Sequence, residues 1–259
     1  MYREIRNHII KNLKAGIRFD GRKALEYRKP ITVEYGFTKT AEGSAKVTIG
    51  ETEVICGIKT EIGKPYPDSP NEGTMMVGAE FLPLSNPEFE AGPPGIDSIE
   101  LARVVDRGIR ESKCIDFKSL CLEPGEKAWT IIIDICPLND AGNLLDASAL
   151  AALAALKDFR FPKLDEDGKI VYKEKGTEKI KLLCEPVECT VIKVGEFFIV
   201  DPIIDEQKAV DARLTVAVLE NGDLAAMQKG GDSPLTEDEI MKMIDIAIDK
   251  TKDLREALK

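Results

Sequence analysis

The residues best placed to do chemistry fall into three groups. The first is the turn Asp140-Ala141-Gly142-Asn143-Leu144-Leu145, which follows the β-branched run Trp129 to Ile135 and leads into ASALAALAALK. A glycine turn feeding a helix N-terminus leaves backbone N–H groups without partners, and these can hold an anion such as phosphate. Two details point the other way: Leu144 and Leu145 bring no donor, and Asp146, at the expected N-cap, offers its own carboxylate to those N–H groups. The expectation is a capped core helix. The second group, Asp201, Asp205, Glu206 and Asp211, lies beside strand ends. Such carboxylates can bind Mg²⁺ or act as general acid and base, and they can equally be solvated loop acids. The third, Arg103, Arg107 and Arg110, forms one row on a helix, opposite the apolar stripe Leu101, Val104, Val105, Gly108 and Ile109. That row can hold nucleic-acid phosphates, or it can pair locally: Glu100 with Arg103, Asp106 with Arg110, Arg107 with Glu111.

Other chemistries are excluded or unsupported. His8 is the only histidine, so a histidine-based triad is ruled out, and six cysteines without a CxxC pair give no zinc pattern. No metal and no cofactor is expected. Cys56 and Cys136 lie within apolar strand patterns and read as buried thiols. The 46 acidic and 36 basic residues leave a net charge of -10, so any nucleic-acid site must be a local patch on a repelling surface. There is no run of ~18 apolar residues. MYREIRNHIIKNLKAG is too interrupted by charge for a signal peptide, which implies a soluble, cytoplasmic protein with no membrane contact.

The elements that must position these groups follow from periodicity. Ile5, Ile9, Ile10 and Leu13 make an amphipathic opening helix. FDGR is a turn, in which Arg18 and Arg22 either contact a nucleic-acid partner or pair with Asp20 or Glu26. Residues 31–61 alternate as two or three antiparallel strands around a turn at Gly50-Glu51, and TMMVGAEFLPL (74–84) is a further strand. Residues 86–98 form a long Pro- and Gly-rich loop before a helix from Ile99 to Ser112. Trp129 to Ile135 reads as a strand covered on both faces, and the helix after it as buried all round. Residues 161–181 make a solvent-facing hairpin with its tip at Asp165 to Gly168. Further strands are VECTVIKVG, EFFIVDP and ARLTVAVLENGDLAAMQ, the last folded by a type I′ turn at Asn221-Gly222. Gly230-Gly231-Asp232 turns into a closing helix, opened by a capping box at Thr236 and Glu239.

Several stretches together carry a family resemblance: IRFDGR (Ile17 to Arg22), GSAKVTIGETEVICGIK (Gly43 to Lys59), ELARVVDRGIRES (Glu100 to Ser112), the DAG turn with its alanine-rich helix, and VDARLTV (Val210 to Val216). The chain resembles the RNase PH superfamily, and within it the non-catalytic RNase PH-like subunits of the archaeal exosome. The resemblance implies an α+β fold of the ribosomal protein S5 domain 2-like kind. Residues 1–259 then form one domain of two intimately packed halves, about 1–160 and 161–259. It further implies a hexameric ring, a trimer of heterodimers with a catalytic RNase PH-like subunit, beneath a cap of RNA-binding subunits and acting in RNA degradation and processing. Active relatives carry Thr or Ser, Arg, then Thr or Ser after the turn glycine to grip phosphate; here Asn143, Leu144 and Leu145 stand there. The match to the relatives' general acid is Asp211, which reads as a remnant or a structural residue. The resemblance favours single-stranded RNA as the partner of Arg103, Arg107 and Arg110. Two rivals are a self-sufficient phosphorolytic nuclease using Asp211, and a small-molecule kinase. The second should show a Gly- and Ser-rich phosphate loop that LNDAGNLLDAS lacks.

Overall fold

The computed structural model describes residues 2–259, with side chains for 4–171 and 176–259. The amphipathic opening forms α1 (Tyr2–Lys14). Strands β1 (Ile31–Tyr35), β2 (Gly43–Ile49), β3 (Thr52–Gly63) and β4 (Thr74–Ala79) follow, then α2 (Ile96–Glu111), β5 (Cys121–Glu123), β6 (Lys127–Asn139) and α3 (Leu144–Asp158). The first sheet has the order β1-β2-β3-β6-β4, with β5 added on β6. Its pairings are antiparallel except β4 against β6. A hairpin of β7 (Arg160–Leu164) and β8 (Ile170–Lys179) leads to the second sheet. That sheet is antiparallel in the order β10-β9-β11-β12, built from β9 (Val187–Val194), β10 (Phe197–Val200), β11 (Ala212–Val218) and β12 (Leu224–Gly230). The short α4 (Ile204–Gln207) lies between β10 and β11, and α5 (Glu237–Glu256) packs on β9 and β11. The class is α+β, as the resemblance implied.

Helix α3 holds the two sheets together. It packs on β2 and β3 of the first and on β9 of the second, and also against α2. Its alanines explain how: a helix with small side chains on every side lets backbones approach from several directions at once. Leu150, Leu153 and Leu156 are essentially fully buried, each contributing roughly 1.5–3 kcal/mol of burial. Helix α5 opens with the expected capping box, Thr236 accepting from Glu239 N at 3.3 Å and Glu239 accepting from Thr236 N at 3.0 Å.

Several expectations need correction. Strand β6 is not covered on both faces: burial alternates, with Ile131, Ile133 and Ile135 inside while Asp134 is exposed and Ile132 and Cys136 are half-buried. The β-branched run reflects strand propensity more than double coverage. Cys56 is fully buried, but Cys136 falls on the outer register. Helix α2 begins at Ile96, inside the stretch expected to be loop, and the strand from Thr74 stops at Ala79. The β11–β12 hairpin forms, yet only Gly222 has positive φ (90°), so the turn is not type I′, which needs both central residues left-handed.

Candidate functional site

Helix α3 starts two residues before Asp146. Its N-cap is Asn143, held left-handed at φ 59°, ψ 42°, with no side-chain cap. Asp146 therefore does not cap the helix, contrary to the expectation from sequence. From the third helical position its fully buried carboxylate turns inward and accepts from Thr190 N (2.7 Å), Tyr27 Oη (2.7 Å) and Asn143 Nδ2 (3.0 Å). Burial pushes its pKa up to about 7, against those three donors, and the nearby Asp201 pushes the same way. Asparagine tolerates left-handed backbone, which moved the helix start to a place the pattern did not mark.

The turn itself is clamped from behind. Asp201, fully buried and at φ 48°, accepts from Arg28 N (2.7 Å), Nε (2.9 Å) and Nη2 (2.8 Å), from Arg22 Nη1 (2.9 Å) and from Asn143 Nδ2 (3.0 Å). Arg28 donates onward to the carbonyls of Ala141 (2.6 Å) and Gly142 (2.9 Å), and Thr52 Oγ1 donates to Gly142 O at 2.6 Å. Gly142 sits at φ 101°, and a Cβ there would run into Pro202 O and lie 2.9 Å from Ile203 Cα. The glycine thus serves the closeness of two protein backbones, with or without any ligand.

On the turn's other side lies a cavity of about 450 Å³ lined by Leu144 and Leu145, with Glu88, Asp97, Glu100, Asp140 and Asp232 around it. Its two cations are already paired, Lys208 with Glu88 at 2.5 Å and Arg213 with Glu100. An entering phosphate would meet apolar side chains and negative charge.

The acidic group near the strand ends disperses. Asp211 accepts from Arg6 Nη2 (2.8 Å) and Nε (3.2 Å) and from Gly195 N (2.6 Å). Partial burial pushes its pKa up, but Arg6 and the Gly195 N–H outweigh this and hold it below the usual range. The arginine and the amide thus hold the Asp211 carboxylate in its ionised form. Glu206 forms a buried pair with Arg18, which also donates to the carbonyls of Val200 and Asp201, both at 2.8 Å. Arg18 thus pairs with neither Asp20 nor the Glu26 carboxylate, whereas Arg22 does bind Asp20 at 2.7 Å. Among the described residues, no group of three or more His, Cys, Asp or Glu is placed to hold a metal ion.

The arginine row divides. Arg110 is committed inward, to Asp106 (2.7 Å), to Met75 O (2.9 Å) and over the Phe117 ring. Arg103 and Arg107 are exposed and line a shallow depression on α2, Arg107 donating to Gln228 of β12 at 2.6 Å. Of the three local pairs read from spacing, only Asp106–Arg110 forms; Glu100 turns to Arg213 instead. Arg28 and Gln228 were absent from the sequence reading, because their partners lie far along the chain and no periodicity marks them.

Known proteins match the chain along nearly its whole length. Residues 27–162 match the 3′ exoribonuclease family, domain 1, and residues 184–250 match its domain 2. The chain is 44% identical to the exosome complex component Rrp42 of Methanopyrus kandleri, over 98% of this chain and 95% of that one. It is 40% identical to the protein of that name from Thermococcus kodakarensis, over 97% and 93%. Among solved structures it superposes on a chain of the Archaeoglobus fulgidus exosome with RNA bound to the active site. There the TM-score is 0.91 at 41% identity, covering 100% and 99% of the two chains. An archaeal exosome core chain gives 0.86 at 38%, covering 99% and 97%. With both domain patterns in order on one chain and relatives alike over nearly their full length, the chain belongs to the 3′ exoribonuclease family of RNase PH-like proteins.

Proposed function

We propose that this chain is a subunit of an archaeal-type exosome that supplies architecture and RNA contacts while a partner cuts. One observation carries the non-catalytic half: the turn that would seat phosphate presents Leu144 and Leu145 to an acid-lined cavity. The family membership, and relatives named as exosome components, support the assembly half. The partner is a catalytic RNase PH-like subunit, alternating with this chain in a trimer of heterodimers beneath RNA-binding cap subunits. This chain buttresses the partner's active site, and Arg103 and Arg107 hold single-stranded RNA phosphates. Arg110 is a structural neighbour of that pair. The setting is the cytoplasm; among the described residues no helix is long and apolar enough to cross a membrane.

The test is phosphate-dependent shortening of RNA by the chain alone and with the catalytic subunit. The expected result is no nucleoside diphosphate from the chain alone and turnover in the mixture. Robust turnover by the chain alone, lost in Asp211→Asn, would overturn the assignment in favour of a self-sufficient nuclease.

A further inference from the structure

Two cysteines from different halves of the chain meet below α2. Cys114 follows the end of that helix and is fully buried; Cys184 leads into β9 and is half-buried. The strand-like bridge between Ile115 and Leu182, with Leu183 N donating to Cys114 O at 2.8 Å, brings their backbones side by side. In strict antiparallel register Cys114 would face Leu183 and the two thiols would point to opposite sides. Two irregularities cancel that alternation: Lys113 is left-handed at φ 54°, and the chain bends at Leu183. Cys184 Sγ consequently lies 3.3 Å from Ser112 O, while Cys114 N donates to Ser112 Oγ at 3.2 Å, so both cysteines are fixed on one serine. Burial, and after it the charge of the neighbouring Cys184, pushes the Cys114 thiol up.

We propose that Cys114 and Cys184 form a disulfide under oxidation by a hydroperoxide, stapling the two halves of the molecule. The half-exposed Cys184 is the point of entry. Its sulfur attacks the peroxide oxygen, giving a sulfenic acid and releasing an alcohol, or water from hydrogen peroxide. The Cys114 sulfur then displaces hydroxide from that sulfenic acid, its proton leaving with it as water, and the S–S bond forms. Two thiols have lost two electrons in all and one peroxide has been reduced. The closed loop of about 70 residues contains β6 and α3, so the link constrains the unfolded chain strongly.

The full-length chain, purified reduced, is treated with hydrogen peroxide and its thiols are counted after denaturation. Six should fall to four. Non-reducing trypsin digestion should join the peptide 114–118 to 182–193, and fragmentation should place the bond on Cys184 and not on Cys189. The melting temperature should rise by roughly 5–10 °C and return on reduction. C184S should form no link and keep its melting temperature; C114S should carry Cys184 on to sulfinic acid. Six thiols surviving excess peroxide, a bond to any other cysteine, links only between molecules, or an unchanged or lowered melting temperature would each refute the proposal.

Discussion

Replacing Asp146 with asparagine tests the buried network under the turn. The carboxyl is fully enclosed, and its pKa of about 7 stands some three units above the ordinary aspartate value. At 1.36 kcal/mol per unit this is on the order of 4 kcal/mol. The sign follows from proton uptake: between about pH 4 and 7 the unfolded chain has lost this proton while the folded chain retains it. The contribution is therefore fully present below pH 4 and is lost as pH rises through 7. An asparagine keeps an acceptor for Thr190 N and gives a donor toward Tyr27 Oη, which can then donate to Cys189 Sγ, 3.2 Å away. Its cost is the lost bond from Asn143 Nδ2, which keeps Asp201. The assay is urea unfolding followed by circular dichroism from pH 4.5 to 8, read as wild type minus Asp146→Asn so that other titrating groups cancel. Wild type should hold its own at pH 4.5 and fall behind by several kcal/mol at pH 8. A difference flat across the range would show that the three donors keep Asp146 ionised, and the reasoning from burial would fail.

Four further outcomes are expected. Leu150→Asp places an unpaired carboxylate between two sheets at several kcal/mol, so soluble cooperative folding of that variant would contradict the described packing of α3. Gly142→Ala adds a strained left-handed alanine and pushes on Pro202 and Ile203; thermal unfolding should show a loss of about 2–4 kcal/mol, and less than 1 would mean the two segments part easily. Glu188 is fully buried with Oε2 unpartnered, and burial, helped by Asp146, raises its pKa well above the ordinary value; Glu188→Gln should therefore stabilise at pH 8 and change little at pH 4.5 by urea titration. Arg103→Ala with Arg107→Ala should leave ring assembly intact, weaken RNA binding, and flatten the log–log salt dependence by about 0.7 per lost contact; unchanged affinity and slope would leave the subunit as scaffold only.

What the sequence disclosed was local. The α5 capping box, the glycine-marked turn at Gly50 and the Asp165 to Gly168 hairpin tip are all set by neighbours in the chain, and all lie where the patterns put them. What it hid was made across distance. Arg28 clamps a turn more than a hundred positions away, and Asp146 faces donors from Tyr27 and Thr190, so spacing alone assigned it a cap. The arginine row shows both sides: an i, i+4 rule found Asp106–Arg110, while Glu100 was taken by Arg213 of the second sheet. The leucines after Gly142 were legible because a missing donor needs no partner to be seen. The charge of the cavity they face was not, since its acids come from four separate segments.

The position of α3 also decides how the molecule can come apart. Its amides lie beneath β2 and β3 on one side and β9 on another, so neither half can swing away without exposing them. Local openings that let hydrogen exchange with solvent should run freely in the β7–β8 hairpin and along the edge strand β12. At α3 exchange should demand the full free energy of global unfolding. The expected consequence of a helix that both halves share is a single cooperative unit, in which destabilising either sheet should lower the protection of the other by the same amount.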